Sequence, residues 1–185
     1  MTQLRKSAAK RSRHTTRNNT APTWSEITTP IGRLFVTTND HGLCAIEFGR
    51  LETSRKSRFT TCSHIGNSTT LLNRVCAQLK EYFSGQRRKF DLPLDLSSLT
   101  PFQREVLAVT NRIPWGEVWS YQRVAQEMGR PKSSRPVGQA LGRNPIPIVI
   151  PCHRVVASDG GLGGYCGTSG LDLKRWLLRH EGAQL

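Results

Sequence analysis

The sequence predicts an α+β protein in two parts, a small antiparallel sheet with one helix followed by a mainly helical segment. Three observations carry that prediction. Between Trp24 and Gly49 the stretch "WSEITTPIGRLFVTTNDHGLCAIEFG" holds three short β-type runs separated by the turn-forming "TPIG" and "NDHG". Next, "STTLLNRVCAQLKEYFSGQ" places Leu72, Val75, Cys76, Leu79, Tyr82 and Phe83 at helical spacing and stops at Gly85. After Thr100, helix start and stop signals recur at short intervals.

Taken in order, residues 1–23 carry Arg5, Lys6, Lys10, Arg11, Arg13 and Arg17 with no acidic residue and almost no apolar content. Such a segment cannot offset its ordering entropy and is expected to be a disordered basic tail. The three β-type runs then read as a meander, and "RLETSRKSRFTTCSH" as a polar loop. The helix beginning at the Ser/Thr-rich "STT" makes Cys76 a core thiol, and "RRKFDLPLDLSS", with Pro93 inside it, reads as an extended linker or edge strand. A boundary near Leu96 to Thr100 divides an N-terminal domain, 24–98, from a C-terminal one, 99–185. Thr100 is a cap and Pro101 a first-turn residue for "TPFQREVLAVTNRI", which "PWG" ends. Ser120 caps "YQRVAQEMG", a short helix stopped by Gly129. In "SSRPVGQALGRN" Pro136 is tolerable only in a first turn, which puts Ser133 or Ser134 at the N-cap. Two short helices joined by a tight turn are the layout of a helix-turn-helix, although any small helical domain contains such a pair.

A chain of 185 residues buries one good core or two small ones. Lys and Arg total 27 against 13 Asp and Glu, a net charge of +14, which favours polyanionic partners, nucleic acid before a membrane surface. A basic tail on a neutral domain gives the same balance. No apolar run approaches the roughly 18 residues needed to span a bilayer, and the polar N-terminus lacks the apolar core of a secretory signal. Cys44, Cys62, Cys76, Cys152 and Cys166 are odd in number and scattered, which argues against a disulfide framework and for a reducing, intracellular setting.

The chemistry concentrates in "PIPIVIPCHRVV", Pro145 to Val156. A five-residue apolar run flanked by prolines reads as a buried extended segment that delivers Cys152 to a defined place. A free thiol has a pKa of about 8.5, so a working cysteine needs something to make it a thiolate. His153 is adjacent, but side chains of neighbouring residues diverge, so a water or a third group is expected between them. Glu181, in "WLLRHEG" at the end of an amphipathic helix, is a candidate to hold the imidazole, although spacing alone does not assign it. The plain alternative is a buried cysteine beside a satisfied histidine. Zinc fits poorly: "CH" adjacency is not a ligand spacing, and His41, Cys44, Cys62 and His64 are irregularly separated.

The string "IPCHRVV", preceded by "GRNP" and followed by "GGYCG" and "WLLRHEG", resembles the O6-alkylguanine-DNA alkyltransferase family, closely from "TPFQREVL" to "HEG" and in outline before that. The resemblance implies a ribonuclease-H-like N-terminal sheet plus helix and a C-terminal domain with a winged-helix-like helix-turn-helix. It implies irreversible, single-turnover transfer of an alkyl group from O6-alkylguanine in DNA, with O4-alkylthymine a further possible substrate, to Cys152. His153 activates the thiol through a bridging water, Glu181 orients His153, and Arg154 has a structural role. No cofactor is implied, because the damaged DNA is the alkyl donor. The nucleotide must leave the duplex, and the resemblance assigns minor-groove binding to the helix-turn-helix. Arg135 fills the vacated stack, Tyr121 crowds the phosphate and hydrogen-bonds the base, Gly138 and Ala140 allow close approach to the groove, and Asn144 links the recognition helix to the active-site turn. Backbone carbonyls of Cys152 and Val155 accept from the guanine amine, and Tyr165 covers the pocket with Cys166 beside it. Arg123, with Arg130, Lys132 and Arg143, is expected at phosphates. The expected partner is double-stranded DNA and the protein is expected to be a monomer, without membrane contact, in the cytoplasm or nucleoid, or the nucleus in a eukaryote.

Three features depart from the family pattern: Pro136 where alanine is common, Cys166 in place of a small or hydroxyl residue, and a slightly long "TSGLD". A catalytically silent lesion-binding relative is the alternative, and the retained Cys152 argues against it. A cysteine hydrolase would need a base distant in sequence and an oxyanion hole, for neither of which there is a sequence signal.

Overall fold

The computed structural model describes residues 22–49, 68–165 and 170–184. The basic tail short of residue 22, the polar loop over 50–64, Cys62, His64 and Cys166 lie outside them. Three strands, β1 (Thr23–Thr29), β2 (Gly32–Asn39) and β3 (Gly42–Phe48), form an antiparallel sheet in the order β1-β2-β3, so the meander is as expected, with Thr23 already paired to Thr38. At the second turn Asn39 Oδ1 accepts from the backbone N–H groups of His41 (2.8 Å) and Gly42 (3.0 Å), the local side-chain turn that asparagine offers.

Helix α1 (Ser68–Phe83) packs on β1 and β2, and Val75, Leu79 and Tyr82 are fully buried. Cys76 is only half-buried at the edge of the core, which corrects its expected place inside it. The Pro93 segment docks as a parallel bridge along β3: Leu43 N–H donates to Pro93 O (2.9 Å) and Asp95 N–H to Leu43 O (2.9 Å). Proline serves there because its carbonyl, not its absent N–H, makes the contact.

The second half begins with α2 (Pro101–Thr110), closed by a full capping box: Thr100 Oγ1 accepts from Gln103 N–H and Gln103 Oε1 accepts from Thr100 N–H. Helices α3 (Tyr121–Glu127) and α4 (Ser134–Leu141) pack on each other and on α2, followed by α5 (Gly170–His180). Two two-residue strands that alternation could not reveal, β4 (Trp119–Ser120) and β5 (Val155–Val156), pair in parallel. Among the described residues no helix is long and apolar enough to cross a membrane.

Gly42 sits at φ +155, and a Cβ there would lie 2.6 Å from Pro93 O. Gly42→Ala is therefore expected to cost about 2 kcal/mol by pushing the Pro93 segment off β3, read as a lower denaturation midpoint with an unchanged m-value.

Candidate active site

The "IPIVI" segment is buried throughout, but it is not extended. Ile148 takes φ +75, and Ile150 N–H donates to Ile146 O (3.0 Å), so the chain folds back on itself. A β-branched residue in the left-handed region is strained and persists only where its surroundings hold it. Here they do: Ile146 and Ile148 are fully buried, Ile146 N–H donates to Asn144 Oδ1 (3.0 Å), and Asn144 Nδ2 donates to Ile150 O (3.0 Å). From the N-terminal sheet, Ile46 N–H donates to Pro145 O (2.9 Å).

Residues Cys152–Arg154 form one 3-10 turn leading into β5. Cys152 is 7% exposed, and Asn144 Nδ2 also approaches its Sγ at 3.1 Å. Burial pushes the thiol above its ordinary pKa, opposed by the Asn144 hydrogen bond and the positive charge of Lys174. At neutral pH the Cys152 side chain is therefore a thiol, not a thiolate.

His153 is fully buried, and Nε2 lies 2.9 Å from Glu181 Oε1. Burial lowers its pKa, against the opposing pull of Glu181. With Nε2–H committed to the carboxylate, a neutral ring carries its basic lone pair on Nδ1, which has no partner among the described residues. Arg154 is buried as well. It donates from Nε to Glu181 Oε2 (2.7 Å), from Nη2 to Oε1 (3.0 Å) and from Nη1 to Ile113 O (2.5 Å). Burial pushes the Glu181 carboxyl up, but hydrogen bonds and charge from His153 and Arg154 win and bring it to about 2. Glu181 stands at the C-cap of α5, where Gly182, at φ +71, closes the end with Ala183 N–H on Leu178 O (2.9 Å) and Gly182 N–H on Arg179 O (3.0 Å).

Tyr121, the first residue of α3, is held between two glycines. A Cβ on Gly163 would fall 2.8 Å from its hydroxyl, and one on Gly138 would fall 3.6 Å from its ring. Ser120 caps α3 by accepting from Arg123 N–H (3.0 Å). Ala140 is 3% exposed and packs in the core, and Gly138 makes room for Tyr121. Pro136 is the third residue of α4 and does not delay the helix, which starts at Ser134. Ser133 occupies the N-cap without a side-chain bond, and the Ser134 hydroxyl donates instead to Gln122 Oε1 (2.8 Å).

Arg123 lies 4.3 Å over the Trp119 ring and Arg130 pairs with Glu105 (3.0 Å), so both are partly engaged within the protein. Among the described residues no ion pair holds Lys132, Arg135 or Arg143, and Arg135 is exposed on the first turn of α4. Tyr165 is buried with its ring edge-on to both His153 and Phe48. The Val155 carbonyl already accepts from Lys174 Nζ (2.5 Å), which also donates to Leu162 O. The Cys152 carbonyl accepts from Val155 N–H.

Two contributors were missed from sequence. Lys174 is fully buried, and its spacing to Leu177 and Leu178 on the apolar face of α5 was the available signal. Tyr82 donates to Glu181 Oε1 (2.7 Å), and a tyrosine where a phenylalanine would fill a helix's core face was its only trace.

His153 and Glu181 both have depressed pKa values in the folded state, so each contributes stability above its unfolded pKa that is lost as pH falls. His153 begins the loss as pH drops below 6.5, and Glu181 continues it from 4.5 down to about 2. Denaturation midpoints are expected to fall across both windows, and Glu181→Gln to shrink the lower one, where Asp95, its carboxyl also held below the ordinary value, still contributes.

The family profile described as 6-O-methylguanine DNA methyltransferase, DNA binding domain, matches residues 101–183, and that described as its ribonuclease-like domain matches residues 23–96. A methylated-DNA–protein-cysteine methyltransferase of Salmonella typhimurium is 40% identical over 162 residues, covering 85% of this chain and 94% of that protein. The constitutive enzyme of that name from Bacillus subtilis is 38% identical over 154 residues, 83% and 91% of the two chains. Among solved structures, Mycobacterium tuberculosis OGT in complex with DNA superposes with a TM-score of 0.73 at 36% identity, covering 86% of this chain and 92% of that one. With both halves matched in order, the chain belongs to the 6-O-methylguanine DNA methyltransferase family.

Proposed function

We propose that the protein repairs DNA by direct transfer of a methyl or larger alkyl group from O6 of guanine to Cys152, once per molecule. The observation that carries the reading is a buried cysteine followed directly by a buried neutral imidazole whose only open nitrogen is Nδ1. A water bridging Cys152 Sγ and Nδ1 takes the thiol proton to His153 as sulfur attacks the alkyl carbon. An S–C bond forms, the C–O6 bond breaks, and the guanine leaves with its electron pair on O6; it takes a proton from the Tyr121 hydroxyl, and the proton held by His153 returns through water to restore the phenol and the neutral imidazole. Glu181 stabilises the imidazolium that forms, and no cofactor takes part. Because the thioether is not cleaved again, the high resting pKa of Cys152 is no obstacle: a thiol kept neutral until a substrate arrives reacts with little else.

The partner in this proposal is duplex DNA met through the minor groove by α3 and α4, with the protein a monomer working inside the cell. Arg135 fills the gap left by the flipped nucleotide, Tyr121 crowds its phosphate, and Arg123, Lys132 and Arg143 meet neighbouring phosphates. The carbonyls of Cys152 and Val155 read the guanine amine, Asn144 ties α4 to the nucleophile, and Tyr165 closes the pocket. A silent lesion-binding role is disfavoured by the intact Cys152, His153 and Glu181.

Incubation with a duplex bearing one O6-methylguanine is expected to add one methyl, located on the Cys152 peptide by mass spectrometry and absent from Cys152→Ala. Binding without mass gain would overturn the transfer reading. Arg135→Ala is expected to slow transfer from duplex DNA by about tenfold or more, the cost of an unstacked base without its replacement, while free O6-alkylguanine reacts at the unaltered rate.

A further inference from the structure

We propose that Tyr82, which comes from the N-terminal half of the chain, is a positioning residue for alkyl transfer: its phenol shares Glu181 Oε1 with His153 and so limits how strongly the carboxylate holds the imidazole. The proposal rests on the alkyltransferase reading and concerns how its base is adjusted.

Glu181 Oε1 receives three donors, Tyr82 Oη at 2.7 Å, His153 Nε2 at 2.9 Å and Arg154 Nη2 at 3.0 Å, whereas Oε2 receives Arg154 Nε at 2.7 Å. An oxygen with two lone pairs cannot serve three donors at full strength, so the shortest contact draws density away from the others. Tyr82 is a lasting donor: it is fully buried, and burial together with the Glu181 charge holds its pKa far above the ordinary value. It is also fixed in place. Its ring lies among Phe83, Phe90 and Trp115, and its backbone carbonyl accepts from His180 Nε2 at 2.8 Å. Tyr82 thus grips two consecutive residues at the end of α5, one by its carbonyl and the other by its hydroxyl.

The groups around His153 are Glu181 and Lys174 from α5 and its end, Cys152 and Arg154 from its own turn, the Tyr165 ring from the covering loop, and Tyr82 acting through Glu181. Arg154 and Lys174 oppose protonation of His153 by charge and Glu181 favours it. Without the phenol, Oε1 gives more to Nε2–H, the imidazolium becomes more stable, and less neutral base remains at acidic pH. A purely structural role would slow the reaction equally at every pH.

The test uses the full chain with Tyr82→Phe, which keeps the ring and its packing. Single-turnover transfer from an O6-methylguanine duplex is measured against pH, and the His153 imidazole is titrated by NMR. The expected result is a loss that grows as pH falls, to about three- to tenfold on the acid side, with His153 protonating at higher pH. A 3-fluorotyrosine at position 82, a stronger donor in the same space, is expected to move the titration the other way, and Phe90→Leu, which alters packing only, to leave it in place. A Tyr82→Phe profile parallel to the unaltered one, or an equal shift from Phe90→Leu, overturns the proposal. If the unaltered protein transfers no methyl, the functional reading falls, and the His153 titration still decides whether Tyr82 acts on it.

Discussion

A single buried carboxylate organises this protein. Glu181 is 3% exposed and ionised, and a charge in that position is tolerable only when its lone pairs are filled by donors. His153 and Arg154 from the 3-10 turn after Cys152 and Tyr82 from α1 supply them, while Arg154 reaches on to the Ile113 carbonyl beyond α2. The end of α5, the 3-10 turn, the segment after α2 and the N-terminal helix therefore meet at one charge. Removing any donor leaves part of that charge uncompensated, which is why Arg154, remote from any role as base or nucleophile, belongs to the same unit as His153.

Much of this was legible because it is local. The strands, the Asn39 turn, the Thr100 capping box and the Ser120 cap follow from short-range hydrogen bonding that a sequence states almost directly. The cysteine–histidine pair and its glutamate came from a motif resemblance, and the expectation that adjacent side chains diverge agrees with an imidazole turned toward Glu181. What escaped was long-range. Tyr82 and Glu181 are 99 residues apart, and nothing in a helical periodicity says where a phenolic oxygen will end. Lys174 was hidden for the opposite reason: a lysine is read as surface by default, whereas here carbonyls from two different segments help make its burial acceptable. The apolar run before Cys152 misled because burial and extension usually go together, whereas prolines at 145 and 147 and the Asn144 side chain here support a fold-back at Ile148.

The electrostatics are those of a group held in reserve. Cys152 is kept protonated by burial, and the cation of Lys174 and the Asn144 amide make a thiolate attainable without making it the resting form. His153 is likewise kept neutral, ready to accept. Under the proposed reading, reactivity depends on what enters the site and not on the ambient state of the thiol, which suits a group that can be spent only once.

The two-residue ladder between β4 and β5 has a further consequence for how the fold tolerates change. Trp119 and Ser120 pair with Val155 and Val156, so the start of α3 and the exit of the Cys152 turn are fastened side by side. The span between the Tyr121 phenol and the Cys152 sulfur is thereby gauged by a rigid cross-tie rather than by the long excursion through α3, α4 and the Pro145 turn.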